Sequence, residues 1–231
     1  GGELRRRFSD WGLFHVEQGF LPVWRRYQRA LRQRNALLKQ TPAAATLLPW
    51  EREIEESGTQ LDGFRRQYLE RLSPHFHSTA GRLLAELGDA ELVHARGWSN
   101  GLSLGEALEQ ARPRDLRLGF TSVGPHRGDW QPRYAAHAGP ETLSRGQEKL
   151  TTLAALLAQA EDMATRAGEW PVLLLDDLGS ELDRAHQGLV WEWLQARPVQ
   201  VLVTGTELPH RDVGARVDAT FHVERGRVGS G

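Results

Sequence analysis

The sequence has 231 residues, of which 39% are hydrophobic and 26% are charged, and its net charge is -1. This composition predicts a soluble globular protein of one large or two small domains, with a core of its own. The absence of cysteine excludes a disulfide framework, a zinc–thiolate site and a cysteine nucleophile. No apolar run approaches the roughly 18 residues of a membrane span, so we expect a cytoplasmic protein with no membrane segment.

The first forty residues are mainly basic, with nine lysines and arginines against three acids. Between Phe20 and Lys39, apolar residues recur at helical spacing and predict an amphipathic helix. Arg25, Arg29 and Arg32 lie about a quarter-turn from the apolar stripe and form a basic face. Such a face is typical of a solvated helix surface. It is also a candidate DNA contact, because clustered guanidinium groups displace counterions from phosphates.

Three further helices are predicted from apolar residues three, four or seven positions apart, at residues 51–72, 78–87 and 103–112. Ser103 and Glu106 have capping-box spacing at the start of the last of these helices, and Pro113 is its predicted end. Residues 1–113 are therefore predicted to form an all-helical lobe.

Beyond Pro113 the predicted elements alternate between strands and helices. They are a strand at 115–122, a helix at 144–166, a strand at 172–176, a helix at 182–195, a strand at 199–204 and a terminal hairpin around 224–226. Such alternation favours βαβ units and a mostly parallel sheet. The predicted fold class is therefore α/β for residues 114–231, preceded by the helical lobe.

Two acids, Asp176 and Asp177, follow the apolar run at residues 172–175. A buried strand presents such residues at its carboxyl end, where open α/β sheets bind ligands. Adjacent acids at that edge suit two roles, one holding Mg²⁺ through water and the other orienting or deprotonating an attacking water. The alternative is that the two acids only open a turn.

The run Ser144-Arg145-Gly146-Gln147 opens a long amphipathic helix. The free N–H groups and the positive end of the helix dipole suit a phosphate, and Gly146 permits close approach. The alternative is a plain capping box between Ser144 and Gln147. Two further runs at turns are Ser180 to Asp183, again at capping-box spacing, and Gly-Pro-His-Arg at residues 124–127.

A phosphate-binding P-loop requires G-x-x-x-x-G-K-[ST], and neither lysine of the chain fits it, since Lys39 follows Leu38 and Lys149 follows Glu148. Any nucleotide site in this chain therefore lacks its P-loop. The only methionine is Met163, so we expect the chain to be a piece of a longer protein.

The order of these motifs is similar to that in ABC-type ATPase heads. Leu-Ser-x-Gly-Gln at 143–147 resembles the signature motif, 172–177 the Walker B strand, and Ser-x-Leu-Asp at 180–183 the D-loop. Together with the runs at 7–17, 33–38 and 124–127, these motifs resemble the RecF family over essentially the whole chain. The resemblance implies the C-terminal half of an ABC-type P-loop ATPase head, behind a helical lobe.

The resemblance also implies a role for each motif residue. Ser144, Arg145, Gly146 and Gln147 would contact the γ-phosphate of ATP held by the second protomer of an ATP-dependent homodimer. Asp176 would help to hold Mg²⁺ through water. Asp177 stands where most ABC proteins have a glutamate as general base, so we expect slow hydrolysis. The remaining implied positions are Ser180 and Asp183 in the D-loop and Thr204 or Thr206 in place of the usual switch histidine.

RecF-like proteins bind duplex DNA at single-strand gaps and help RecO and RecR to place RecA, in recombination, replication and the SOS response. The resemblance implies these activities and partners, with a weak DNA-dependent ATPase. We expect the chain alone to be inactive as an ATPase because it has no P-loop. The alternatives are another SMC-like or Rad50-like ATPase head, or a nucleotide-independent DNA-binding or scaffold module.

Overall fold

The computed structural model describes residues 1–40, 43–136, 143–206, 214 and 216–230. The chain forms two compact units, Gly1–Gly168 and Glu169–Gly231. The lobe boundary proposed at Pro113 stays a prediction. The boundary between the two compact units lies further along the sequence, because the helix at 145–167 packs against the long helix at 44–83. No helix within the described ranges is long and apolar enough to cross a membrane.

The first unit contains five helices and a two-stranded sheet among its described residues. The helices are α1 (Gly2–Val16), α2 (Phe20–Leu38), α3 (Ala44–Leu83), α4 (Leu104–Leu118) and α5 (Arg145–Ala167), and the strands are β1 (Ala90–Ala95) and β2 (Asp129–Tyr134). The amphipathic helix predicted at 20–39 is confirmed as α2, and the one predicted at 144–166 is confirmed as α5.

Helix α3 is the centre of this unit. It has 40 residues, a length of about 60 Å at 1.5 Å per residue, and it packs against α2, α5 and β1. The prediction of two separate helices here is wrong, because α3 continues through Pro74. One lost backbone hydrogen bond is outweighed by the buried apolar face on both sides of Pro74, which includes Leu72 and Phe76.

Helix α4 also differs from its prediction. Its capping box between Ser103 and Glu106 is confirmed. The predicted end at Pro113 and the predicted strand at 115–122 are wrong, because α4 continues to Leu118 and ends at Gly119 with φ of 74°. The cause is Asp115, which is completely buried and accepts a hydrogen bond of 2.7 Å from Arg34 on α2.

Strands β1 and β2 pair antiparallel, with Ala90 opposite Tyr134 and Ala95 opposite Asp129. The prediction of an all-helical region up to residue 113 is therefore wrong at β1. The short strand β1 lies against α3, and its pairing partner is distant in sequence, so periodicity alone gave little sign of it.

Helix α1 is attached to the β2 end of this sheet by polar contacts. The Arg5 Nε donates to Asp129 Oδ1 at 2.9 Å, and the Arg6 guanidinium donates to the Gly128 carbonyl at 2.7 Å. In return, the Trp130 indole donates to the Arg5 carbonyl at 2.7 Å. These bonds fix the first helix of the unit to its second strand.

The second unit contains the strands predicted near the carboxylates. Its elements are β3 (Leu173–Leu175), α6 (Leu178–Glu181), α7 (Arg184–Gln195), β4 (Val201–Val203), β5 (Phe221–Glu224) and β6 (Arg227–Ser230). Strands β3 and β4 are parallel, with Leu173 opposite Val201, and β5 and β6 form the predicted hairpin. The α/β fold class with parallel strands behind a largely helical region is confirmed. Parallel pairing is found in one of the three described ladders.

Candidate functional site

The parallel pairing of β3 and β4 brings Asp176 and Thr204 together. The Thr204 amide donates to the Leu175 carbonyl at 2.9 Å, and the Asp177 amide donates to the Thr204 carbonyl at 3.1 Å. The Thr204 hydroxyl donates directly to Asp176 Oδ1. This contact orients one oxygen of the Asp176 carboxylate and leaves the side chain exposed to solvent. Thr206, the other predicted switch residue, is exposed two positions further on.

Asp177 has an unusual backbone conformation, with φ of 51° and ψ of 39°. This left-handed region is rarely occupied by residues other than glycine, and aspartate tolerates it better than most. Its carboxylate accepts a hydrogen bond from the Ser180 hydroxyl, and its carbonyl accepts one from the Ser180 amide at 3.1 Å. The turn after β3 thus holds the Asp177 side chain in one orientation. Backbone conformations of this uncommon kind often occur at functional sites.

The side-chain oxygens at this edge of the sheet fit a magnesium ion only if other ligands complete the coordination shell of the ion. Among the described residues there is no cluster of three metal-ligating side chains. One exposed carboxylate beside a threonine hydroxyl is nevertheless a normal protein contribution, because Mg²⁺ retains waters and takes phosphate oxygens as its other ligands. Asp176 is the residue that could hold it.

Asp183 is the N-cap residue of α7. The capping box predicted between Ser180 and Asp183 is therefore wrong. Its Oδ1 accepts from the His186 amide at 3.0 Å, and its Oδ2 lies 2.7 Å from the His186 ring nitrogen Nδ1. These contacts with His186 lower the pKa of Asp183. Ser180 lies outside that cap because its hydroxyl bonds to Asp177.

In the first unit, Ser144 and Gln147 form the capping box at the start of α5. Ser144 Oγ accepts from the Gln147 amide at 3.3 Å, and Gln147 Oε1 accepts from the Ser144 amide at 3.0 Å. The Gln147 amide group also donates to Glu86 Oε1 at 3.3 Å. Because Ser144 Oγ acts as an acceptor in the box, its own hydroxyl proton can still be donated to an outside group.

Gly146 stands in open space within this unit. A β-carbon built on it would meet only Ser144 Oγ, at 4.0 Å, and Arg145 beside it is exposed. The packing of this chain therefore gives no reason for a glycine at this position. The close approach of a ligand from outside the unit would provide such a reason.

Arg25, Arg29 and Arg32 are all exposed on α2, where the sequence placed them. Within the described ranges no ion pair is formed by any of the three. Their neighbour Arg26 differs, since its guanidinium contacts Glu53 at 2.8 Å and Glu56 at 3.2 Å. The basic face is thus electrostatically uncompensated on its own helix.

A half-buried histidine in the Gly-Pro-His-Arg turn, His126, is held by contacts that the sequence did not reveal. His126 Nε2 donates to the Thr121 carbonyl at 2.9 Å, so its Nδ1 accepts from the Tyr27 hydroxyl at 2.6 Å. Burial lowers the pKa of His126 to about 4. The neutral ring therefore ties the turn to α2.

A second pair missed by the sequence is Asp62 and His94, whose side chains approach to 3.3 Å. Burial raises the pKa of Asp62 to about 6, and burial, with Arg65 next in importance, lowers the pKa of His94 to about 4. These shifts predict that between pH 4 and 6 the folded pair holds one proton, on Asp62. The unfolded pair also holds one, on His94. The contributions of the two groups to the pH dependence of stability therefore cancel.

Replacing Asp62 with asparagine should remove this cancellation. The folded pKa of His94 lies below its unfolded value, so its contribution to stability is lost as pH falls from about 6.5 to 4. The variant should lose about 3 kcal/mol relative to the parent between pH 7 and pH 4. Urea unfolding of both proteins at these pH values measures the difference. The opposite variant, His94→Gln, should become more stable relative to the parent as the pH falls over the same interval. If the free energy of unfolding changed with pH in the same way for the parent and both variants, the assignment would be contradicted.

Curated relatives of this chain are DNA replication and repair proteins named RecF. One from Xanthomonas euvesicatoria pv. vesicatoria is 54% identical over 231 residues, covering 99% of this chain. Others come from Stenotrophomonas maltophilia, 52% identical over 229 residues, and Azotobacter vinelandii, 42% identical over 230. The chain is thus similar to RecF proteins over essentially its whole length. It spans 62%, 63% and 62% of the lengths of these three relatives, and no family model matches it.

A solved structure of the recombination mediator protein RecF-ATP in the RecFOR pathway has the same fold. Its TM-score is 0.84 over 100% of this chain and 63% of that chain, at 23% identity. The RecF-ATPrS structure gives 0.83 over the same shares, at 22% identity. At such identities the likeness concerns the fold, and it confirms the RecF-type architecture that the sequence motifs predicted.

Proposed function

We propose that this chain provides the acid pair and the signature motif of an ATP-dependent DNA-binding protein of the RecFOR repair pathway. The observation that carries this proposal is the junction of β3 and β4, where the Thr204 hydroxyl bonds to Asp176 and Asp177 follows in a fixed turn. That arrangement suits a magnesium nucleotide at the carboxyl ends of parallel strands. Sequence similarity to RecF proteins and the likeness in fold to RecF-ATP support it.

Within that function, Asp176 would hold Mg²⁺ through water, and the Thr204 hydroxyl, bonded to Asp176 Oδ1, would orient the carboxylate. Asp177 accepts a proton from the attacking water or orients that water. Bound ATP supplies the phosphoanhydride that is cleaved. The left-handed backbone of Asp177 adds a conformational reason for aspartate, in place of a longer acid, at this position.

The signature residues act on the nucleotide of a second protomer. The Ser144 hydroxyl donates to a phosphate oxygen, the free amides of Arg145 and Gly146 add to the positive end of α5, and the Gln147 side chain holds the cap. The open space at Gly146 admits the phosphate closely. Two protomers joined in this way form an ATP-gated homodimer.

The proposed DNA surface is the basic face of Arg25, Arg29 and Arg32, which meets backbone phosphates where duplex DNA adjoins a single-strand gap. RecR, RecO and RecA are the proposed partners, and the proposed setting is cytoplasmic repair, replication and the SOS response. A nucleotide-independent scaffold is the alternative, because Ser144, Gln147 and Asp183 all act as helix caps as well.

The association of this chain with a RecF protomer distinguishes the proposed function from the scaffold alternative. The signature motif of this chain needs a partner with a P-loop, and the longer RecF of Xanthomonas euvesicatoria is suitable. We expect the two proteins to associate in the presence of ATP and Mg²⁺, as measured by sedimentation. Gly146→Ala should weaken this association at least about 10-fold because its methyl group fills the space for the phosphate. The same change should leave the fold equally or more stable, by up to about 1 kcal/mol.

Asp176→Asn is the matched control in this experiment. Asp176 acts on nucleotide bound in its own protomer, so the variant should associate with the Xanthomonas protein like the parent. If association needs no ATP, or if Gly146→Ala leaves it unchanged, the scaffold alternative replaces the proposed function.

A further inference from the structure

An open groove of about 370 Å³ lies between α2 and the start of α3, directly beside the basic face. It is lined by Arg26, Arg29, Ala30, Pro49, Trp50 and Glu53. The groove belongs entirely to the first unit and involves none of the proposed nucleotide-site residues. It is a concave surface with both aromatic and cationic walls.

The charge of the groove is uneven. Glu53 is neutralised by Arg26 at 2.8 Å, whereas Arg29 has no ion pair among the described residues and is exposed. Arg25 and Arg32 continue the same face on either side of Arg29. At 1.5 Å per residue, the three arginines are spaced about 6 Å and 4.5 Å apart along the helix. This is a row of cations that suits successive phosphates of one strand.

Trp50 supplies the second part of the site. It is partly exposed, it lines the same groove as Arg29, and the described residues make no ring contact with it. An indole in such a position offers a flat surface for a nucleobase, and a base stacked on an aromatic side chain contributes substantially to binding of single strands. In a duplex the base faces are already stacked on each other, so only an unpaired strand can use Trp50.

We propose that this groove binds single-stranded nucleic acid, with one base on Trp50 and the neighbouring phosphates on Arg25, Arg29 and Arg32. The proposal deepens the proposed function and rests on it, since it assigns the unpaired part of a DNA gap to α2 and α3. An acidic peptide is a poorer occupant, because its carboxylates can meet the arginines but offer no flat face to the Trp50 indole, as a nucleobase does.

The test is fluorescence anisotropy of the chain with a labelled oligothymidine of about 15 nucleotides at fixed salt. Trp50→Leu keeps an apolar side chain but removes the aromatic ring, and we expect it to weaken binding about 10-fold. Trp50→Phe should restore most of the affinity. Arg29→Gln should weaken binding and reduce its salt dependence by about one ion. The matched controls are Trp11→Leu and Arg117→Gln, which are exposed outside the groove and should bind like the parent.

An abasic oligonucleotide of equal length isolates the contribution of the bases. It should bind the parent and Trp50→Leu equally and weakly, and duplex DNA should likewise fail to distinguish them. Equal binding of oligothymidine by parent and Trp50→Leu would overturn the proposal. So would a polyglutamate peptide that binds in a Trp50-dependent way while oligothymidine does not bind. The ATP-dependent association described above does not use Trp50, so failure of either proposal is distinguishable from failure of the other.

Discussion

Replacing Arg34 with methionine should lower the free energy of unfolding by about 3–5 kcal/mol, because it leaves the buried carboxylate of Asp115 without its cation. Arg34 is completely buried. It donates to Glu51 Oε1 at 2.9 Å, to Asp115 Oδ2 at 2.7 Å and to the Thr121 hydroxyl at 2.9 Å. One guanidinium therefore joins α2, α3, α4 and the segment that follows α4. Urea unfolding followed by tryptophan fluorescence measures the loss.

Arg26→Met is the matched control for this prediction, since Arg26 lies on the same helix and also contacts two acids, but at the exposed surface. Its loss should cost much less stability, because an exposed ion pair is screened by solvent and contributes little. A second variant, Arg34→Met with Asp115→Asn, should recover part of the stability because Asp115 no longer carries an unpaired charge. Equal effects of Arg34→Met and Arg26→Met would contradict the role of the buried network.

Gly97→Ala is expected to be at least as disruptive, with a loss of more than about 4 kcal/mol or failure to fold. A β-carbon at this position would lie 2.3 Å from the Gly124 carbonyl oxygen and 2.4 Å from the Gly128 nitrogen. Both are backbone atoms that cannot rotate away. The φ of 84° at Gly97 adds a further cost for any residue with a side chain. Circular dichroism and urea unfolding measure the effect.

Gly101→Ala is the appropriate comparison, because no atom lies within 4 Å of a β-carbon there. We expect its stability to stay within about 0.5 kcal/mol of the parent. Gly97→Ala should also disturb the turn that carries His126, since the Gly124 amide donates to the Gly97 carbonyl at 3.1 Å. If the Gly97→Ala protein were as stable as the Gly101→Ala protein, the close approach of the Gly124 and Gly128 backbone atoms to Gly97 would be wrong.

The elements that the sequence predicted well are those defined by local signals. Helix α5 has an amphipathic stripe and a capping box at Ser144, and both signals lie within the helix itself. Strand β3 is a short apolar run between turn residues. The meeting of Asp176 with Thr204 was also predictable, because carboxyl ends of parallel neighbours share one edge of a sheet.

The errors arise where distant residues decide the local structure. Asp115 extends α4 beyond Pro113 by pairing with Arg34, which lies 81 residues away. Strand β2 contains Pro132, opposite Leu92 of β1, and a proline within a strand pattern argues against a strand. The groove beside Trp50 could not be predicted either, since its walls come from two helices whose relative placement depends on the whole core.

The attachment of α1 to β2 has a consequence for synthesis on the ribosome. Arg5 and Asp129 are 124 residues apart, so at roughly 5–20 residues per second the helix waits about 6 to 25 seconds for that partner. During this interval the aromatic and apolar side chains of α1 are available to chaperones. Docking of α1 on β2 is therefore among the late steps of folding for the first unit, although Asp10 of α1 can pair earlier with Arg65 of α3 and the residues of α1 emerge from the ribosome before all others in that unit.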